Sequence, residues 1–326
     1  MLFNLANMPE YRTAKGIFGF SFFSWQGNRI TFEQSQWLSW LLIGLALSSL
    51  VVMYLFKAKL IKHYQTNTKR VLAYFQVLGG FIFFLSIFRI IILGVGQYPN
   101  SWELIPLHFC RFFIMLISVA LIFRKLNMIK YVGFFSIIGA IFGLILSDLK
   151  NSDFWQGFGG VALGYDSYIF WDFFFIHISS LVIPAYFLTV NRFYYTKRDV
   201  SITTISLTSM AILIFFANWA LSFSSNRNWN ANWFYLAPEA FNGISQLLSK
   251  VFGPLTKWPG ILFFFIAFGM LLYTLSILGY FWLDRYSIKI DPITRKIRIF
   301  KEEESLWSHF KASRFRLAKK AESSAV

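Results

Sequence analysis

The chain has 326 residues, of which 56% are hydrophobic and only 14% charged, with 41 Phe and a formal net charge of +16. Charges this sparse and aromatics this dense exclude an ordinary water-facing domain, which carries about a quarter charged residues, and suit a lipid-exposed surface with aromatic belts at both interfaces. The one cysteine, Cys110, excludes an intrachain disulfide, and His63, His108, His177 and His309 show no metal-ligand spacing, so neither a metal nor another cofactor is expected.

Residues 1–35 mix charges with short apolar pieces and read as an extracellular N-terminal segment, not a cleavable signal peptide. Seven apolar stretches follow, at 36–56, 71–95, 104–123, 128–147, 168–190, 201–222 and 260–284. Each is near the roughly 20 residues that a helix needs to cross the hydrocarbon core. The expected fold is therefore all-α, a polytopic membrane protein with seven transmembrane helices within 36–284. Spans three and four are separated by a short turn at Arg124, Lys125 and Asn127 and form an antiparallel hairpin.

Basic loops stay cytoplasmic. Loops on one side carry 22 Lys and Arg and those on the other carry 7, while Arg89 and Arg111 lie within spans. The bias alternates loop by loop, which places the N-terminus outside and the basic tail, 285–326, in the cytoplasm. The positive charge is thus a topology signal and a contact for anionic headgroups; nucleic acid is not expected as a partner, and no protein partner is indicated. Within the tail, SIKI at 287–290 and KIRI at 296–299 alternate around Asp291 and Pro292, which predicts a small β-hairpin. Residues 305–320 interleave apolar and basic residues, and read either as an interfacial amphipathic helix or as a solvated tail.

Ionisable groups inside a membrane are costly, and their depth is informative. With the spans alternating, Arg89, Glu103, His108, Cys110, Arg111, Asp148, Asp172, His177 and Asn218 all fall in one layer in the outer halves of the spans. The inner halves are almost purely apolar. This layer is the candidate pocket. Arg89 also has a plain structural reading, as the ion-pair partner of Glu103 or Asp172. Cys110 and His177 lie at similar depth and could meet if spans three and five pack together. A thiol in hydrocarbon is inert unless a base or cation stabilises its thiolate; His177 as base, with Arg111 or Arg89 nearby, would permit nucleophilic acyl chemistry. The bland alternatives are a small apolar filler for Cys110 and a helix-bridging hydrogen bonder for His177. The aromatic residues of loop 223–259 read as an interfacial collar or as a lid.

The motif ELIPLHFC at 103–110 resembles the ExxPLHxC segment of the YwaF-like family of bacterial integral membrane proteins. The resemblance continues in order through SDL at 147–149, FIH at 175–177, NWFYL at 232–236 with Pro238, and Gly253, Pro254, Trp258 and Pro259. It implies a multi-pass protein of the bacterial plasma membrane. That family looks related to a eukaryotic membrane acyltransferase that places polyunsaturated acyl chains on ether phospholipids. The implied catalytic pair is a membrane Cys and a His, matching Cys110 and His177 here, with membrane lipids as partners. Two function classes stay open on the sequence: transfer of acyl chains between lipids (or their hydrolysis), and non-catalytic binding or transport of a lipid or solute through Arg89, Glu103 and Asp172. A structural subunit that docks a partner through its tail is a third.

Overall fold

A computed structural model describes residues 30, 32–95, 101–145, 164–224, 229–238, 252–290, 297–301 and 305–313. Asp148 lies outside the described residues, as do 1–29, the glycines at 157, 159 and 160, and 314–326 of the tail.

Seven helical segments are long and apolar enough to span a membrane, the third of them, Ser101–Ile122, counted across a 3₁₀ turn and the helix after it. The chain enters through a turn at Phe32–Ser35, and Phe32 is buried against Phe170. Helix α1 (Gln36–Leu55) then runs as an almost unbroken apolar segment. Helix α2 (Lys57–Val95) begins two residues later, 14 residues before the span read from hydropathy, and Asn67 interrupts its geometry (φ −118°, ψ 24°). The polar stretch between the first two spans is thus a helical elbow, because Thr68 and Asn67 bond back to carbonyls of the preceding turn. Helix α3 (Phe109–Ile122) and helix α4 (Asn127–Ile145) form the expected hairpin, turned by Arg124 at φ 54°.

Helix α5 (Tyr168–Asn191) is the central helix, capped by Ser167, whose hydroxyl accepts from the Ile169 amide. It packs closely on α4: a Cβ at Gly133 would lie 3.3 Å from Pro184 Cβ. Helix α2 approaches α3 in the same way, with Gly79 set directly on Leu121 and the Ser118 carbonyl. Small residues at such crossings let helix backbones approach in lipid, where apolar burial alone does not drive helices together. Helix α6 (Lys197–Ser222) starts at a capping box between Thr196 and Asp199, and Lys130 and Tyr131 from α4 reach the same carboxylate at 2.6 and 2.8 Å. Helix α7 (Gly260–Arg285) is the least enclosed, with Phe263, Leu271, Leu275 and Trp282 all more than half exposed. Large apolar patches of this kind are the surface a bilayer covers.

Strands β1 (Tyr286–Ile290) and β2 (Ile297–Lys301) pair antiparallel with Ile288 opposite Ile299, the hairpin the alternation predicts. A short helix, α8 (Leu306–Ala312), follows. Its apolar face lies on the protein: Leu306 is buried, and Trp307 and Phe310 pack on Phe281 of α7. Between the two expectations for 305–320, the described part is therefore a helix docked on the bundle.

The alternating helices give the bundle two ends. One collects the basic loops, the hairpin and α8. There Asp284 accepts from Arg192 at 2.8 Å, from the Leu306 amide at 3.0 Å and from Lys57 at 3.4 Å. The other end holds the polar layer.

Candidate functional site

Helix α3 has only 14 residues. At about 1.5 Å per residue it is roughly 21 Å long, short of the roughly 30 Å hydrocarbon core. The apolar window that sequence reads as one span is divided. Ser101–Leu104 is a 3₁₀ turn holding Glu103, residues 105–107 are non-helical, and His108 is the N-cap of α3 with extended backbone. Pro106 explains the division, since it cannot donate an amide and disfavours helix in the residue before it. Glu103 and Cys110, seven apart in sequence, therefore do not share a face of one regular helix. Non-helical backbone at membrane depth is tolerated where protein encloses it or where it lines a cavity.

Around this break, charges from three elements meet. Arg89, near the end of α2, donates to the Glu103 carboxylate at 2.8 Å and to the Glu103 carbonyl at 2.9 Å. Its Nε lies 3.2 Å from Asp172 Oδ2 on α5. Arg111, in the first turn of α3, donates to the other Asp172 oxygen at 3.3 Å and also pairs with Oδ2. All four side chains are 7–14% exposed. Two guanidinium groups and two carboxylates leave the cluster formally neutral, which is how a low-dielectric interior holds charge. Asp172 is the shared member, and it fixes α2, α3 and α5 to each other.

Cys110 and His177 approach the same face of α4. The Cys110 sulfur sits 3.2 Å from where a Cβ of Gly139 would stand, and the Phe109 ring is closer still. The His177 ring occupies the Cβ position of Gly143 outright. Residues four apart share a helix face, with Cβ positions about 5–6 Å apart, so sulfur and imidazole lie against one glycine face a turn apart. His177 Nδ1 lies 2.7 Å from the Phe173 carbonyl, and its ring stacks on Phe173 at 4.1 Å. A carbonyl can only accept, so Nδ1 carries the proton; in the neutral ring Nε2 is then the basic nitrogen, and it packs against Gly143 of α4. Cys110 and His177 are not hydrogen-bonded to each other. Both retain partial exposure.

The segment after α6 closes the layer. Asn218, fully buried on α6, donates to the Trp233 carbonyl at 2.8 Å and accepts from the Trp233 amide at 3.2 Å. Trp233 Nε1 donates to the Trp102 carbonyl at 3.2 Å. Phe234 and Tyr235 are both in left-handed backbone, at φ 56° and 59°, each at a cost on the order of 1–3 kcal/mol for a side-chain-bearing residue. Phe234 is fully buried beside Phe109 and Phe112 of α3. Tyr235 stands against the His108 ring at 5.4 Å, and His108 in turn faces Trp102 at 5.6 Å. The Tyr235 residue is 43% exposed, yet its phenol is raised above the ordinary value, first by desolvation of the hydroxyl and then by the neighbouring Cys110 and Glu103.

The residues singled out from depth alone thus separate into groups. Arg89, Glu103, Arg111 and Asp172 form one ion-pair network, Cys110 and His177 share the glycine face, His108 joins an aromatic stack, and Asn218 holds a loop. Gly139, Gly143, Trp102, Phe234 and Tyr235 were not among them. The spacing of Gly139 and Gly143, four apart in an apolar span, is the signal that could have pointed to the glycine face, while NWFYL at 232–236 already marked Phe234 and Tyr235. Among the described residues no three His, Cys, Asp or Glu gather as a metal site.

A family model described as the TMEM164 family matches residues 31–277. No curated protein and no solved structure matches the chain.

Proposed function

Since the chain belongs to the TMEM164 family and is a multi-pass membrane protein, we propose that it transfers acyl chains between membrane lipids through Cys110 and His177. The observation that carries this reading is the placement of the Cys110 sulfur and the His177 Nε2 lone pair on one glycine face of α4. In the proposed reaction, His177 Nε2 takes the thiol proton as sulfur attacks the ester carbonyl of a donor lipid. The ester C–O bond breaks, the lysolipid oxygen leaves with the proton from His177, and the acyl chain remains as a thioester on Cys110. An acceptor lysolipid hydroxyl then gives its proton to His177 and attacks the thioester, which restores the thiol. Water in place of the acceptor makes the same cycle a hydrolysis. Arg89, Glu103, Arg111 and Asp172 hold the surrounding helices, and His108 with the two arginines borders the headgroup region.

The same proposal sets the protein in a bacterial plasma membrane, as a YwaF-like member, with the N-terminus and the Cys110 layer on the outer side. The basic end then faces the cytoplasm and anionic headgroups. The 22-to-7 partition of Lys and Arg supports that orientation.

Lipid profiling of cells carrying Cys110→Ala tests the reaction. Loss of the acyl exchange seen with the native chain is expected, and an unchanged acyl composition would refute it. The lack of a Cys110–His177 hydrogen bond favours one competitor, a lipid- or solute-binding protein without chemistry. That protein would keep its function in Cys110→Ser and lose it in Arg89→Leu.

A further inference from the structure

The Trp233–Tyr235 turn is backbone held against its own preference. Two consecutive non-glycine residues, Phe234 and Tyr235, sit at positive φ. Such a conformation persists only where the surroundings over-determine it, and it clusters at functional sites. Three attachments supply the determination here. Asn218 satisfies both the amide and the carbonyl of Trp233. Asn232 Oδ1 accepts from the Ala237 amide at 3.2 Å, which closes the turn on itself. Phe234 is inserted among the rings of Phe109, Phe112 and Phe265.

What this scaffold delivers is Tyr235. Phe234 and Leu236 on either side are fully buried, whereas Tyr235 is 43% exposed. One side of its ring meets His108, the N-cap of the helix that carries Cys110. A structural plug needs only the buried anchor, Phe234. Holding the next residue in a second strained conformation, half exposed and half against His108, sets a bulky ring beside the start of the helix that carries the thiol. The chain pays for that placement with backbone strain and one buried amide side chain.

We propose that residues 232–237 form a latched gate over Cys110, with Asn218 as the latch and the Tyr235 ring as the part that shields the thiol. Breaking the two Asn218 bonds removes one of the three attachments, and the backbone strain at Phe234 and Tyr235 then favours release of the turn. The gate controls access to Cys110 whatever chemistry the thiol performs.

Cys110 is the chain's only cysteine, so alkylation of the full-length protein in lipid vesicles by a charged, water-soluble maleimide reads this site alone. Labelling at least tenfold faster than native is expected for Asn218→Ala and for Tyr235→Gly. Glycine adopts positive φ without a steric penalty, so Tyr235→Gly keeps the native melting temperature and decides the matter even if Asn218→Ala fails to fold. Tyr235→Phe keeps the ring, and its labelling should stay within twofold of native. Native-like labelling in folded Tyr235→Gly, or a tenfold rise in Tyr235→Phe, would overturn the gate. Because alkylation needs no lipid turnover, faster labelling in a protein that exchanges no acyl chains would sink the proposed reaction and leave the gate standing.

Discussion

Each end of the bundle has an aspartate that ties several elements together, and Asp284 and Asp172 do so in different surroundings. Asp284 gathers Arg192 from the end of α5, Lys57 from the α1–α2 elbow and the first amide of α8. Each of these contacts fixes one connection to another, and the surrounding backbone is helix, hairpin and capped loop, left-handed only at single residues that end helices, Arg124 and Arg192 (φ 54° and 44°). Asp172 gathers two arginines, one of which also holds Glu103 in the broken span, and the glycine face and the left-handed turn lie at the same end of the bundle. A buried ion pair is weak evidence of function where regular structure surrounds it, since tying elements together accounts for it. Where it stabilises irregular backbone, beside a thiol and an imidazole, tying elements together no longer accounts for the surroundings.

Substitutions at the two ends should therefore separate stability from site geometry. The largest effect is expected from Asp172→Ala. It leaves Arg89 and Arg111 without their shared carboxylate, and stranding a partner of a buried pair costs about 3–5 kcal/mol. A large fall in melting temperature together with loss of acyl exchange is expected; native-like melting would show that the network is dispensable. Next comes Gly143→Ala. Its methyl group would occupy the position of the His177 ring, and an ångström of misplacement at a reacting group costs about 100-fold in rate. Alanine favours helix over glycine, so the loss should appear in acyl exchange more than in melting, and unchanged exchange would remove His177 from the chemistry. Asp284→Ala reverses the pattern. It should lower stability by about 1–3 kcal/mol, the cost of leaving the buried Leu306 amide unpaired, while Cys110 alkylates at the native rate. Altered alkylation there would mean that the two ends are coupled. The smallest effect is expected from Tyr131→Phe, which removes one of the hydrogen bonds to Asp199. Melting should report about 0.5–1.5 kcal/mol, with no change at Cys110.

The regular parts of this fold were legible from hydropathy. The fifth and seventh spans match α5 and α7 to within a residue or two, because a helix in lipid must be an apolar run of fixed length. The β-hairpin was legible from alternation, and the polar layer from depth alone. The break before α3 was not. A hydropathy window averages over Ile105, Pro106 and Leu107, all apolar, and reads through them without a break. The helix through Lys57–Asn67 was missed for the opposite reason: the segment is polar yet helical, so apolar length said nothing about it. The glycine face was illegible because glycine's role at Gly139 and Gly143 is to make room for side chains 29 and 34 residues away, and spacing along one chain does not show what fills that room. Asn218 could be placed in the layer, but its partner, the Trp233 backbone, follows from a loop conformation that no periodicity predicts.

The central claim, that Cys110 carries an acyl chain, is tested most directly by intact-protein mass measurement after incubation with a phospholipid donor and no acceptor. The expected result is a mass increase of one acyl chain on the native protein, released by hydroxylamine as a thioester should be and absent from Cys110→Ala. A native protein that gains no mass while donor lipid is consumed, or an adduct that persists in Cys110→Ala, would contradict it.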